Sequence, residues 1–345
     1  MRSEAKRLPR LEDVEELASL MLERTDEPVV RYRLLRDVLR SPQTSVLRQE
    51  RDKVLQSRHI LELVSTQRKD GNWGRFHSRD GTDKRTAYTT ETAVERGLAL
   101  GLDAECTVFR RAISYMISVL EGIVVWPDPP EKNDRWPVGV QLITAATLAQ
   151  VDPGNRSVDK VWKVWFEIAR RAFASGSYDA HAEILAHREL TGASVKDSYL
   201  TIHNRYSLSL LAARSRQIPM ELQRAIVKWI WRREKGVGYL HVALHDLPEC
   251  SSSSRMERWM RSLEILSGFE CWTQFSGEAV EWLWKSREKN DLWDFGSKGR
   301  CSTHYPLSES WRKKENRQID CSTRALSLLR RFYPNSFPRT AFFMS

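Results

Sequence analysis

Long apolar runs are missing from this 345-residue sequence. No stretch approaches the roughly 20 apolar residues of a membrane-crossing helix, so no membrane-spanning helix is expected. The first twenty residues, MRSEAKRLPRLEDVEELASL, carry charge throughout and lack the apolar core of a signal peptide, which makes the cytoplasm the expected compartment. Cysteines are few: Cys106, Cys250, Cys271, Cys301 and Cys321 are odd in number and widely scattered. That pattern predicts reduced thiols, not a disulfide framework. Glycine is scarce too, with 16 residues against 13 tryptophans, a balance that favours helix-rich cores or aromatic-lined cavities over loop-rich scaffolds. Apolar–polar alternation of the β kind is also scarce.

What is present is charge and helical periodicity. The net charge is +10 and charged residues make up 29% of the chain. The cations stand beside acids, as in RLEDVEEL, RREKG and KSREKN, so they read first as solvated helix faces. A nucleic-acid partner is not expected, and an anionic small molecule is the lesser reading of the charge.

Helical spacing recurs in pairs. EPVVRYRLLRDVLR places Val30, Leu34, Leu35, Val38 and Leu39 on one face, starts near Pro28 and stops at Ser41-Pro42. VLQSRHILELVSTQR then leads into YTTETAVERGLALGLD. CTVFRRAISYMISVLEG leads into VGVQLITAATLAQVD, and VDKVWKVWFEIARRAFA, through a longer segment, into VKDSYLTIHNRYSLSLLAAR. MELQRAIVKWIWRREKG precedes SRMERWMRSLEILSG, and SGEAVEWLWKSREKN precedes RQIDCSTRALSLLRRFY. These are five hairpins, and residues 10–40 supply a sixth. The Trp229-Ile230-Trp231 segment before Gly238-Tyr239 is echoed by Trp282-Leu283-Trp284 before Asp291-Leu292-Trp293, a period longer than that of HEAT or TPR arrays.

Second helices carry small residues at close-packing intervals, such as Ala93, Gly97 and Gly101, or Ala146 between Leu142 and Gln150 with Ala145 and Ala149 beside them. First helices carry bulk and charge, including Arg110, Arg111, Lys160, Lys163, Arg170 and Arg171. Large outer helices around small inner ones predict an all-α fold, an α/α toroid of five to six hairpins. The expected organisation is one domain over 1–345, with N-terminal helices at 10–50, repeats at 50–335 and a tail at 336–345.

Gln67-x3-Gly71-x-Trp73 resembles the QW motif of squalene–hopene cyclases and related triterpene cyclases. IDCSTRALSLLRRF and TTETAVERGLAL resemble the inner helices of the same repeats, and Arg287-x3-Asp291-x-Trp293 looks like a degenerate copy. The resemblance spans about residues 50–335 and implies a barrel with a central hydrophobic cavity for an isoprenoid. The chain departs from the family where chemistry resides. It has no Asp-x-Asp-Asp acid motif, no Asp-Asp-x-x-Asp metal box and no second barrel. Its size is closer to the β subunit of protein prenyltransferases, but Asp320 and Cys321 are adjacent, which breaks that family's Asp-x-Cys zinc spacing. The Cys-His-Gly signature of lanthionine cyclases is missing as well.

Candidate sites each have a plainer structural reading. Arg75, His77, Arg79, Asp80, Asp83, Lys84 and Arg85 precede Thr89-Thr90, and helix N-termini at a barrel mouth favour anions. The alternative is a solvated linker with a threonine cap. Tyr88 and Trp136 are assigned to substrate binding with Arg75 and His77. The densest polar cluster is DSYLTIHNRYSLSLL: read as one helix, it shares a face between Tyr199 and His203. Asp197 or His203 would be its proton donor or base, with Tyr199, Asn204, Arg205 and Tyr206 around the substrate. Asp320 and Glu91 are further candidate acids early in inner helices; for Asp320 the plainer reading is an N-cap. Any such acid would have its pKa raised by burial. Asp179, His181, Glu183 and His187 read as a helical insertion before they read as a metal set. Cys301-x2-His304, with Cys321 or Cys271, reads as buried thiols before it reads as zinc.

Outer-helix tryptophans, such as Trp162, Trp165, Trp229 and Trp282, are expected in the core. Trp73, Trp126, Trp136 and Trp293 are expected in loops, Trp73 and Trp293 as staples between repeats. The leading functional expectation is an isoprenoid cyclase-like or prenyl-transfer-like toroid holding a hydrophobic substrate or an isoprenoid diphosphate. Mg2+ enters only with a diphosphate, no other cofactor or metal is implied, and peripheral membrane contact fits a greasy substrate. The alternatives are a non-catalytic toroid scaffold and a carbohydrate-active α/α barrel. Oligomeric state is left open.

Overall fold

The computed structural model describes residues 8–42, 44–79, 88–193, 200–252, 255–297, 301 and 303–333. Among them the fold is all-helical, with no β-strand. The helices are α1 Leu11–Glu23, α2 Pro28–Arg33 (continued by a π-helical turn over Leu34–Val38), α3 Ser45–Leu55, α4 Arg58–Thr66 and α5 Thr90–Ala99. Next come α6 Thr107–Leu120, α7 Trp136–Val151, α8 Asp159–Ala172, α9 Ala180–Thr191 and α10 Arg205–Ala213. The last are α11 Met220–Arg232, α12 Met256–Leu266, α13 Gly277–Lys285 and α14 Lys314–Arg331. None is long and apolar enough to cross a membrane.

The helices expected in those pairs are present, with local corrections. The expected helix over VLQSRHILELVSTQR is interrupted: α3 ends at Leu55, and α4 restarts after Ser57. The DSYLTIHNRYSLSLL segment is not one helix. α10 begins only at Arg205, because Asn204 Oδ1 accepts the Tyr206 amide as an N-cap (2.8 Å) and His203 precedes it. Trp136 is the first residue of α7, not a loop aromatic, and meets Trp126 edge-to-face at 6.2 Å. Thr89 caps α5 as expected, its Oγ1 accepting the Thr92 amide (3.3 Å).

The helices that open each pair bury a single face. In α8 that face is Val161, Trp162, Trp165, Ile168, Ala169 and Ala172, and in α13 it is Ala279, Val280 and Leu283. The second helices are more enclosed, and in α14 every residue from Asp320 to Arg330 is buried. Small residues permit this enclosure: a Cβ on Gly97 would come within 2.6 Å of the Phe109 ring, so α5 and α6 meet where no larger residue fits.

The elbow at 67–74 shows how the pairs are tied. Gln67 Nε2 donates to Gly71 O and to Val108 O on α6 (both 2.9 Å), and buried Trp73 Nε1 donates to Leu63 O (2.9 Å). The Trp73 amide donates to Thr90 Oγ1 (3.1 Å). The loop at 287–294 repeats the scheme: Trp293 Nε1 to Leu283 O (2.8 Å), and the Trp293 amide to Ser322 Oγ (3.0 Å). Gly71 and Asp291, at matching positions, both have positive φ (+97° and +64°).

Candidate functional site: an arginine-lined cavity

Side chains from α2, α5, α7, α10, α12 and α14, the second member of each pair, line one cavity of about 670 Å³. Its residues come mainly from the C-terminal halves of these helices, from Arg40 beyond α2 to Arg331 at the end of α14. Helix C-termini present unpaired carbonyls and the negative end of the dipole, and arginines answer them. Arg33 Nη1 donates to Ala99 O (3.0 Å) and Arg36 Nη1 to Gly101 O (2.6 Å) where α5 ends. Arg331 Nη1 bonds Ser267 Oγ (2.9 Å) just past α12.

The lining carries seven guanidiniums, Arg33, Arg36, Arg40, Arg205, Arg261, Arg324 and Arg331, against three carboxylates, Asp37, Glu95 and Glu264. That leaves a surplus of +4, reduced to +2 when Glu91 and Glu257, which bind Arg205 and Arg324, are included. Burial opposes ionisation of Asp37, but Arg33 and Arg36 outweigh it and hold that acid at about 2. Burial, then the charge of Arg324, pushes His304 well below the usual histidine range, so its ring is neutral. Leu98, Leu102, Ile265 and Leu328 give the cavity an aliphatic share, and Tyr206 is its one aromatic ring among the lining residues. The lining is therefore mixed: aliphatic side chains share it with arginines, and the cationic share is the part the sequence reading did not anticipate.

Behind one wall, four of the predicted site residues converge. Glu91 Oε1 accepts from Tyr206 OH (2.7 Å) and pairs with Arg205, while Oε2 meets His77 Nδ1 (2.7 Å). Arg205 also reaches Glu95 (3.3 Å), which binds Arg261. Burial raises the Glu91 pKa, but Arg205 and His77 prevail and hold it at about 2. The same hydrogen bond raises His77. Glu91 is thus a fixed anion, unsuited to deliver a proton, and it orients the half-exposed His77. The His77 segment is fixed by Asp128, whose carboxylate accepts the amides of Phe76 (2.5 Å), His77 (3.0 Å) and Ser78 (2.6 Å).

A second cluster is built on α12 and α14. Arg324 grips Glu264 with two hydrogen bonds (2.7 and 2.9 Å) and also binds Glu257. His304 lies 3.6 Å from Glu264 and 3.7 Å from Glu257. Glu257, Cys301 and His304 place one donor atom each within 4.8 Å of one another.

The other predicted residues lie elsewhere. Asp320 is not an N-cap, since α14 starts at Lys314; its carboxyl accepts the amides of Leu307 (2.8 Å) and Ser308 (2.9 Å) and the Ser308 hydroxyl (3.1 Å). Burial raises it to about 7 despite these bonds, and it does not line the cavity. His203 is lowered to about 4 by burial and Arg233, with Nε2 3.3 Å from Thr201 Oγ1. Tyr88 packs on the core beside Arg96, and Arg75 receives the Thr90 amide at its backbone carbonyl (2.9 Å). Asp197, Tyr199, Asp80, Asp83, Lys84 and Arg85 lie outside the described residues. In α9, Glu183 accepts from Ile202 N (2.7 Å) and Tyr178 OH (2.5 Å), so its oxygens are already used beside buried His187.

Sequence reasoning missed Glu95, Arg261, Glu264, Arg324 and Asp128. A signal existed for the helical ones: Glu257, Arg261 and Glu264 recur at i, i+4, i+7 along α12, and Arg324, Leu328 and Arg331 do so along α14. A charged stripe on a helix of the inner type is a cavity wall in waiting. Compared with family models, curated proteins and solved structures, the chain matches none.

Proposed function

We propose that the six hairpins close into an α/α toroid and that its central cavity binds a small anionic molecule, an isoprenoid diphosphate being the class that suits both kinds of wall. The observation that carries this reading is the excess of seven arginines over three carboxylates around one cavity. Guanidinium forks match phosphate oxygens, and the low-dielectric surroundings strengthen each contact. The volume of about 670 Å³ falls in the roughly 300–1,000 Å³ range of ligand pockets. Leu98, Leu102, Ile265 and Leu328 offer apolar surface to a short hydrocarbon chain.

Binding or transfer fits this lining better than carbocation cyclisation. A cyclase needs aromatic faces and a protonated acid at the substrate, whereas Tyr206 is the single lining aromatic and Glu91 is ionised. Mg2+ would accompany a diphosphate. A bare scaffold would account for the paired arginines but gives no reason for the surplus charge. A nucleic-acid reading meets the same cations facing inward.

The test is thermal shift and calorimetry at constant ionic strength with pyrophosphate, geranyl diphosphate, citrate and geraniol. Both diphosphates should stabilise the protein, the prenylated one more, and the neutral alcohol should not. Arg36→Met and Arg261→Met should each weaken diphosphate binding. Equal silence from every anion overturns the proposal.

A further inference from the structure

We propose that Glu257, Cys301 and His304 form a three-ligand zinc site at the cavity wall. The three residues come from two places in the chain, α12 and the segment before α14, and meet with their donor atoms all within 4.8 Å. Glu257 Oε1 and His304 Nδ1 stand 3.7 Å apart. Tetrahedral zinc, with bonds of about 2.0–2.3 Å, sets its ligand atoms about 3.3–3.8 Å from one another, so only small side-chain adjustments separate this cluster from a bound site. One sulfur, one nitrogen and one carboxylate oxygen suit zinc over magnesium or calcium, which prefer all-oxygen shells. Three protein ligands with a vacant fourth place is the arrangement of reactive zinc sites, whereas structural sites are closed by four. His304 lines the cavity, and Glu257 and Cys301 lie behind it, so the cluster sits at the cavity wall.

Arg324 is the evident objection, because a guanidinium beside a cation is repulsive. The geometry answers it. Arg324 Nη1 binds Glu257 Oε2, leaving Oε1, the oxygen nearer His304, with only a longer contact of 3.3 Å to Nη2. Glu264 neutralises the other side of the guanidinium (2.7 and 2.9 Å). Arg324 then acts as an outer-shell group that fixes the ligating carboxylate, as metal sites commonly require. Thr303 Oγ1 lies 3.1 Å from Cys301 Sγ and 3.2 Å from His304 Nδ1, so a single hydroxyl bridges the two donors when no metal does. The donors are not Asp320 and Cys321, and the site does not depend on which anion the cavity takes.

The test uses the full chain stripped with chelator and no organic ligand. One equivalent of Co2+ should give a thiolate-to-cobalt charge-transfer band in the near ultraviolet, and Zn2+ should displace it. Cys301→Ser should abolish the band, and His304→Ala should weaken binding by about 100-fold or more. In the unmutated protein, Zn2+ should slow alkylation of Cys301 by at least about tenfold while leaving exposed Cys250 unchanged. That measurement needs no variant to fold. Absence of a thiolate band, its survival in Cys301→Ser, or unprotected Cys301 at saturating Zn2+ overturns the proposal.

Discussion

Gly71→Ala and Gly122→Ala form a matched pair that isolates how the elbow at 67–74 is docked. Both glycines have positive φ, +97° and +72°. Alanine at either position incurs the left-handed penalty, about 1–2 kcal/mol, less about 0.4–1 kcal/mol regained from the restricted unfolded chain. They differ in what the new methyl meets. At Gly122 nothing lies within 4 Å, whereas at Gly71 the methyl would collide with the Arg111 carbonyl, whose carbon is 2.7 Å away. That carbonyl belongs to α6 and cannot swing aside as a side chain would. The loop must lift, which breaks the two bonds from Gln67 Nε2 to Gly71 O and Val108 O. At about 1 kcal/mol per bond, the extra cost at Gly71 is about 2–3 kcal/mol. Unfolding entropy of about 2.1 cal/mol/K per residue gives about 0.7 kcal/mol/K for 345 residues, so Gly71→Ala should melt about 3–4 °C below Gly122→Ala. Calorimetric melts of both variants at one pH decide it. Equal melting temperatures would refute the docking argument and leave only backbone strain.

Arg324→Met should destabilise the protein by about 3–5 kcal/mol, because it strands Glu257 and Glu264 without their cation. Denaturant titration checks this, and a loss under about 1 kcal/mol would mean the two acids find other partners. The pH dependence should show two opposed windows. Glu91, depressed from 4.5 to about 2, stabilises the fold above pH 4.5 and loses that contribution as pH falls towards 2, so Glu91→Gln should flatten the acid limb of Tm against pH. Asp320, raised from 3.8 to about 7, contributes fully below pH 3.8 and loses that contribution as pH rises to 7. Asp320→Asn should therefore flatten the curve in that window, and parallel curves for variant and parent would count against both assignments.

The helices were readable because helical period and punctuation agree along the chain: Thr89 caps α5, and Gly101 ends its turn with φ of +94°. The elbow was readable because glutamine, glycine and tryptophan each have one task there. The helix boundary at α10 was misplaced because Tyr199 and His203 suggest a shared face, while the cap that starts the helix is Asn204. Asp320 was misread because an acid near a helix start resembles a cap, and nothing local reveals that its partners are the amides of Leu307 and Ser308. The cavity's character was hidden for a different reason. Arg261 and Arg324 look like ordinary surface cations in sequence, and their partners Glu95 and Glu257 sit up to 166 residues away in the hydrogen-bonded pairs. Long-range charge pairing leaves no periodic trace.

A physical reason links the helix arrangement to the charge. The cavity-lining residues include the last turn of, or the residues just beyond, all six second helices: Arg40, Leu102, Pro153, Ala213, Gly268 and Arg331. Their final carbonyls and dipole ends thus share one region, where buried acceptors would be costly if left unanswered. Guanidinium groups satisfy carbonyls without losing charge at any physiological pH, and Arg33 and Arg36 do so for the end of α5. Asp37, Glu95 and Glu264, with Glu91 and Glu257 behind the wall, offset five of the seven guanidinium charges. On the proposed reading, the remaining positive charge is what an anionic ligand would answer. If the cavity binds an anion as proposed, substituting Arg33 or Arg36 should both weaken that binding and loosen the end of α5 that they cap.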